Sequence, residues 1–462
     1  MLVSLPLRLA AITLALISAT GSLLSAAPSP NVIVIFIDDM GWGDFSCFGN
    51  SEAKTPQIDQ MAAEGIRFEQ FYVNSPICSP SRVAITTGTY PQRWGITSYL
   101  SSRSENKKRG MRNWLNPEAP SLARDLQAAG YATGHFGKWH MGGQHDVADA
   151  PPIQQYGFDQ TLSNFEGMGS KILPLITRRD GSISKLYPWE HLGAHRYVQR
   201  YEVTHSFVDA AINFIDTAQE ASKPFYINVW PDDVHGPFYP SPERMKQAKT
   251  RRELYHAVLE EMDTQFTKLF EKLKSTPALR DNTILLICSD NGPDSDAGSA
   301  GPFKGFKTHL YEGGIRSPLI VWAPGIIPKH ASGNTNTESV FSAIDLVPSL
   351  RQLCGVVTQQ NTLSDGEALS DTLVGKSNTS RHTPLFFSRP PDRKSFYGFE
   401  NLPDLAVRSG EWKLLCDYDG ARPELYNLST DRNESTNLAK QHPERVKQLT
   451  QQVQDWYATI QD

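Results

Sequence analysis

The chain is poor in the features that mark several protein classes. Beyond its first thirty residues no stretch approaches the ~18–20 apolar residues that a membrane-spanning helix needs. Charge of one sign is scarce: the net charge is −5 and the pI ≈ 6.2. That leaves no strongly basic domain, so nucleic acid is excluded as a partner. Only five cysteines occur in 462 residues, Cys47, Cys78, Cys288, Cys354 and Cys416, and none falls in a CxxC spacing. At this length such a pattern indicates no disulfide framework. No internal repeat of fixed period is present. What remains is 39% hydrophobic and 21% charged residues, an ordinary globular mixture. The length calls for one large domain and a smaller one.

Residues 1–27 read as a signal peptide. Arg8 precedes the apolar run Leu9 to Ile17, and Ser25-Ala26-Ala27 supplies small residues for cleavage. Ser18, Thr20 and Ser22 interrupt the apolar stretch, which argues against a retained anchor. The expected destination is secreted or periplasmic, with no membrane span after cleavage.

Asn31 to Ile37 is a nearly continuous apolar run rich in β-branched residues, the pattern of a strand buried on both faces. It ends in Asp38-Asp39. Thr283 to Cys288 repeats this pattern before Ser289-Asp290-Asn291-Gly292, and Phe225 to Trp230 repeats it before Asp232, Asp233 and His235. Leu319 to Trp322 is another short strand. Helical spacing follows in Ser121 to Ala129 and in Glu253 to Lys274. This alternation predicts an α/β fold with a large, mostly parallel sheet sandwiched by helices. Residues 28–353 would form that domain. Residues 354–462, with short strands at Leu405–Arg408 and Trp412–Leu415 and a helix over Glu444–Ile460, would form a smaller α+β subdomain with a short antiparallel sheet.

Ligands of such sheets bind beyond the carboxyl ends of the strands, where the acidic clusters sit. Asp38, Asp39, Asp290 and Asn291 converge if their strands are neighbours. An all-oxygen set suits a hard cation, Ca²⁺ or Mg²⁺, although each pair alone is also an ordinary turn signal. Cys78-Ser79-Pro80-Ser81-Arg82 has its proline where a helix begins. That puts Cys78 at a helix N-terminus, which favours anions, with Arg82 in the first turn. Lys138 and His140 would share one face of an extended segment. His235 and Lys307 carry little information singly.

Taken together these pieces resemble the sulfatase family along nearly the whole mature chain. Cys78 to Arg82 matches its C-x-P-x-R signature. The other matches are Asp38-Asp39-Met40-Gly41-Trp42-Gly43-Asp44, Thr55-Pro56-Gln57-Ile58-Asp59, Gly137-Lys138-Trp139-His140, Gly157-Phe158-Asp159, Ser289-Asp290-Asn291-Gly292, Glu312-Gly313-Gly314-Ile315-Arg316 and Glu424-Leu425-Tyr426-Asn427-Leu428. The look is that of the arylsulfatase A and N-acetylgalactosamine-6-sulfatase branch. The resemblance implies that Cys78 is oxidised to formylglycine (3-oxoalanine) by a formylglycine-generating enzyme during maturation. It implies that Asp38, Asp39, Asp290, Asn291 and the modified Cys78 hold Ca²⁺ in preference to Mg²⁺. Arg82 would steady the formylglycine, Lys138 and Lys307 would bind sulfate oxygens, and His140 and His235 would handle protons.

The implied reaction is hydrolysis of a sulfate monoester on a sulfated carbohydrate or aryl sulfate through a covalent sulfo-enzyme. One hydroxyl of the aldehyde hydrate attacks sulfur, and deprotonation of the other expels sulfate. One departure is Val234 before His235, where the family often has Pro or Thr. Two other readings share these residues: a formylglycine phosphonate or phosphate monoester hydrolase, and a non-catalytic binder of sulfated glycans should Cys78 stay unmodified. The basic segment holding Arg103, Lys107, Lys108, Arg109 and Arg112 reads as a solvated loop or as a rim for an anionic glycan.

Overall fold

A computed structural model describes residues 29–356, 363–396 and 398–460; the signal peptide expected at 1–27 lies outside them. Among the described residues no helix is long and apolar enough to cross a membrane.

A nine-stranded sheet organises the molecule. Asn31–Ile37 lies near its middle, with Thr283–Ser289 on one side and Phe225–Trp230 on the other, both parallel to it. Ala132–Gly137 and Gln160–Leu162 continue the parallel run outward. Beyond Thr283–Ser289, Arg316–Trp322 runs antiparallel to it and to Ile66–Tyr72. Two short pieces, Thr335–Asn336 and Phe341–Ser342, pair in parallel with Ile66–Tyr72. The expected mostly parallel sheet is therefore present, with one strand reversed.

The three apolar runs are strands because both faces are covered. Every residue of Asn31–Ile37, Phe225–Trp230 and Thr283–Ser289 is buried. Val34 and Phe36 face one hydrophobic core with Leu286 and Trp230, while Ile33, Ile35 and Ile37 face the other with Ile287 and Val229. Helix Val203–Glu220 packs on the second face, contributing Phe207, Ala211 and Phe214.

Two expectations change, and one sheet is new. The helix expected from Glu253 to Lys274 is two, Arg251–Gln265 and Thr267–Ser275, which meet at Phe266. Phe266, Leu269, Phe270 and Leu273 stay buried across the break, so the apolar spacing reads through it. The strand at Leu319 begins earlier, at Arg316. A separate three-stranded sheet, Ile183–Lys185, Lys171–Thr177 and His195–Gln199, was not anticipated. Its strands are short and half-exposed, so they carry no long apolar signal.

The C-terminal part holds an antiparallel four-stranded sheet, in the order Leu385–Ser388, Leu405–Ser409, Trp412–Cys416 and Glu424–Asn427. Helix Pro443–Thr459 covers it through Leu449 and Val453.

Candidate active site

Strand register assembles the acidic cluster. Asn31–Ile37 and Thr283–Ser289 pair residue for residue from Asn31 opposite Thr283 to Ile37 opposite Ser289. The next residues, Asp38-Asp39 and Asp290-Asn291, leave the sheet side by side. Carboxylate oxygens of Asp38, Asp39 and Asp290 lie within 4.8 Å of one another, and Asp38, Cys78 and His235 form a second such group. Two neighbouring strands deliver the cations at the same edge. Gly137 stands opposite Trp230, and Lys138 and His235 follow those strands. A side chain at Gly137 would bring Cβ within 2.2 Å of the Trp230 carbonyl oxygen, so glycine there lets the chain turn inward.

Arg82 joins the acids. Its Nη2 donates to Asp38 Oδ1 at 3.1 Å and to Asp290 Oδ2 at 2.8 Å, and its Nη1 donates to the Lys138 carbonyl at 3.1 Å. Lys138 Nζ donates to Asp38 Oδ2 at 2.6 Å, and Lys307 Nζ donates to Asp39 Oδ2. Burial raises the proton affinity of Asp38, but Lys138, His235 and Arg82 overcome it and hold that carboxyl well below the usual range. Burial and the charge of Asp38 push Asp290 the other way.

Cys78 is the first residue of helix Cys78–Thr87, all of which is buried, and Gly88 closes it in a left-handed conformation. The Sγ lies 3.8 Å from Asp39 Oδ1. Burial and Asp38 push the thiol's pKa well up, so an unmodified Cys78 would be a protonated, poor nucleophile. Arg82 opens the second turn rather than lying in the first, and at i+4 it shares a face with Cys78.

The expectation of a shared extended face for Lys138 and His140 is corrected. The strand ends at Gly137, and His140 has φ 53°. Lys138 points to Asp38, whereas His140 Nε2 lies 3.3 Å from the Leu100 carbonyl and 3.4 Å from Glu166 Oε1. Both remain neighbours across the Phe165 ring, with Lys138 Nζ 4.5 Å above it and the imidazole 4.9 Å away. His235 Nε2 lies 3.5 Å from Asp39 Oδ2, and its side chain is 26% exposed. Asp39, His140 and Thr308 all hold positive φ without being glycine, a concentration typical of functional sites.

The cluster's chemistry fits a hard divalent cation. Asn291 Nδ2 donates to Asp39 Oδ1 and to the Gly292 carbonyl, each at 2.9 Å, which leaves its buried Oδ1 without a partner. Three carboxylates beside an orphaned amide oxygen, with no imidazole among the four, form an oxygen donor set of the Ca²⁺ or Mg²⁺ kind.

Some participants carry no sequence signal. Glu166 has φ 59°, is fully buried, and its carboxylate makes no hydrogen bond. Lys171 Nζ fixes the turn that presents it, bonding Ser163 Oγ and the carbonyls of Glu166 and Gly167. Tyr187 and Trp189 stack at 4.4 Å and meet Phe165 edge-on. Asn164-Phe165-Glu166-Gly167 has no motif spacing, so only the fold reveals these residues. In the basic segment, Arg109 is no free rim cation. It donates to the Tyr99 and Glu105 carbonyls and to Asn106 Oδ1, and its guanidinium lies 4.3 Å from the Tyr99 ring centroid.

Residues 30–356 match the Sulfatase family model. The chain belongs to the sulfatase family. It is 31% identical over 392 residues to the N-acetylgalactosamine-6-sulfatase of Canis lupus familiaris, covering 81% of this chain and 72% of that protein. It is 30% identical over 485 residues to the arylsulfatase A of Bos taurus, covering 96% and 89%. A crystal structure of Ps i-CgsB in complex with k-i-k-neocarrahexaose superposes with a TM-score of 0.76 at 25% identity over 94% of each chain. This sulfatase is a sulfuric ester hydrolase of mixed α/β architecture.

Proposed function

We propose that this sulfatase removes sulfate from sulfated carbohydrates after Cys78 is converted to formylglycine, with Ca²⁺ held by Asp38, Asp39, Asp290 and Asn291, in an exported protein. The observation that carries the reading is the convergence of three buried carboxylates, Arg82, Lys138 and Lys307 on the first residue of a helix. A thiol there is chemically idle, whereas a hydrated aldehyde would supply one hydroxyl to attack sulfur and a second whose deprotonation frees sulfate. A bound cation would supply positive charge against the acids and the nucleophile.

The chain's own groups account for the remaining demands. Lys138, Lys307 and the N-terminus of the Cys78 helix bind the sulfate oxygens, where charge is to be stabilised. Arg82 fixes Asp38 and Asp290 and so fixes the donor set. His235 Nε2, 3.5 Å from Asp39 Oδ2, is placed to carry a proton to the leaving oxygen; burial lowers its proton affinity and Asp39 opposes that. Such general-acid help is worth ~10²–10⁴-fold.

His140 serves the second half of the reaction. Its Nε2 faces two acceptors, the Leu100 carbonyl and Glu166, while its Nδ1 has no partner. Nε2 therefore carries the hydrogen and Nδ1 is the base. Burial, with Lys138, pushes His140 well down, so its imidazole rests neutral, and although burial also pushes Glu166 up, an imidazolium forming 3.4 Å away favours its carboxylate. Glu166 is positioned to balance the imidazolium that forms when Nδ1 takes a proton.

Two measurements test the reading. The peptide containing residue 78 should carry oxygen in place of sulfur and two fewer hydrogens; an unmodified thiol in active enzyme would refute the formylglycine step. Rates on matched sulfate and phosphate monoesters should favour sulfate, and a preference for phosphate would overturn the substrate class.

A further inference from the structure

The segment 92–116 has two sides. On one it reaches the active site: Leu100 N donates to Ser79 Oγ at 2.9 Å beside Cys78, and its carbonyl faces His140. On the other it forms a cleft of ≈ 1060 Å³ against the C-terminal sheet and helix, whose Arg389, Tyr418 and Tyr457 complete the far wall. The two sides are close. Leu115 N donates to the Met141 carbonyl, one residue past His140. A side chain on Gly142 would bring Cβ within 2.5 Å of Trp114 Cβ.

The cleft's lining is chemically selective. Trp94, Trp114, Tyr418 and Tyr457 supply aromatic faces, and Tyr418 is 38% exposed and meets Tyr457 at 4.9 Å. Four arginines line it and no carboxylate does. Arg389 is consumed by Asp404, and Arg93 by a bidentate pair with Asp365. Arg112 differs. It is exposed, and among the described residues its guanidinium has no hydrogen-bond or ion-pair partner. Gln92, 4% exposed, donates to Ser388 Oγ through Nε2 while its Oε1 has no partner.

We propose that this cleft is a second binding site for a sulfated oligosaccharide, engaging units of the same chain whose sulfate ester is cleaved at Cys78. Aromatic rings offer flat apolar faces to sugar rings, the free guanidinium of Arg112 takes a sulfate through a forked, charge-assisted contact, and Gln92 Oε1 accepts from a sugar hydroxyl. The choice of a sulfated glycan rests on the sulfatase reading, and the site makes affinity grow with chain length.

The test uses Arg112→Gln, and separately Tyr418→Ala, each introduced into the enzyme and into a Cys78→Ala background that binds without turnover. The probes are hexasaccharides of chondroitin 6-sulfate and of carrageenan, followed by calorimetry, with 4-methylumbelliferyl sulfate as the small substrate. Losing one charge-assisted contact should weaken binding of at least one hexasaccharide about tenfold, while kcat/KM on the small sulfate stays within about twofold. Equal hexasaccharide affinity in both variants and their parent, or no hexasaccharide binding at all, overturns the proposal. Absence of turnover on the small sulfate by fully modified parent enzyme would instead refute the sulfatase reading, and the binding arm would still decide the cleft.

Discussion

Two of the buried charge clusters among the described residues invite comparison, the one proposed to react and one at a joint between sheets. The first gathers Asp38, Asp39 and Asp290 with Arg82, Lys138 and Lys307 at the carboxyl edge of the large sheet. The second gathers Glu312 and Glu434 with Lys413, Arg316 and Arg408, where the large sheet meets the small one. Lys413 Nζ reaches Glu312 at 2.9 Å and Glu434 at 2.8 Å, Arg316 reaches Glu312 at 3.0 Å, and Tyr72 donates to Glu312 at 2.6 Å. Charge and burial do not separate them. The state of the central groups does. In the first cluster His235 and Lys307 remain partly exposed, Asn291 Oδ1 and His140 Nδ1 lack partners, and left-handed residues aim the groups. In the second, Lys413 and Glu312 are fully buried and held by partners from different elements, while Arg316 and Arg408 line a cavity of ≈ 570 Å³ beside them. It ties two sheets together.

The sharpest way to break this comparison is to disturb each cluster and ask which property falls. Chelation should abolish turnover, a loss of at least about 10³-fold for removing a charge-stabilising ion, and should lower the melting temperature. Added Ca²⁺ should restore both, because a ligand bound only to the folded state stabilises it. Chelator-resistant activity and melting would remove the cation from the account.

Lys413→Met should do the reverse. Two buried carboxylates left without their shared cation cost about 3–5 kcal/mol, readable by urea unfolding, while kcat per folded molecule stays within about twofold. A large fall in kcat at unchanged stability would erase the distinction between the clusters.

Glu166→Gln sharpens the first cluster from within. It keeps shape but removes the countercharge to His140, so kcat should fall about tenfold with KM unchanged. The sign of the pH effect follows: without a nearby carboxylate the imidazolium is less favoured, so neutral His140 persists to lower pH and the acid limb of kcat moves down. An unmoved limb would assign Glu166 a purely structural role. The smallest effect belongs to Lys107→Ser with Lys108→Ser. Both lysines are exposed on a short helix, so KM for an aryl sulfate should change less than about twofold, whereas a large change would bring that helix to the site.

Much of the first cluster was legible because its residues lie where apolar runs stop. Asp38 and Asp290 end two strands whose composition announces burial, and family resemblance joined them to Cys78, Arg82, Lys138, His235 and Lys307. The phrase Glu312 to Arg316 was legible as a family match but not as a joint, since its partners Tyr72, Lys413 and Glu434 lie 240, 101 and 122 residues away. Glu166 was invisible for a similar reason. Its meaning comes from a left-handed turn clamped by Lys171, and neither propensity nor spacing records such a turn. The shared-face expectation for Lys138 and His140 failed because the strand ends at Gly137, before either residue, so alternation does not apply to them.

Sulfate release by the Cys78 centre can be measured directly. Enzyme produced together with a formylglycine-generating enzyme is compared with its Cys78→Ala variant on 4-methylumbelliferyl sulfate, with residue 78 assayed by peptide mass in the same sample. The account predicts equal folding, stoichiometric release of sulfate and phenol by the converted protein, and none by the variant. Near-equal turnover by the Cys78→Ala protein, or none by fully converted enzyme, would contradict it.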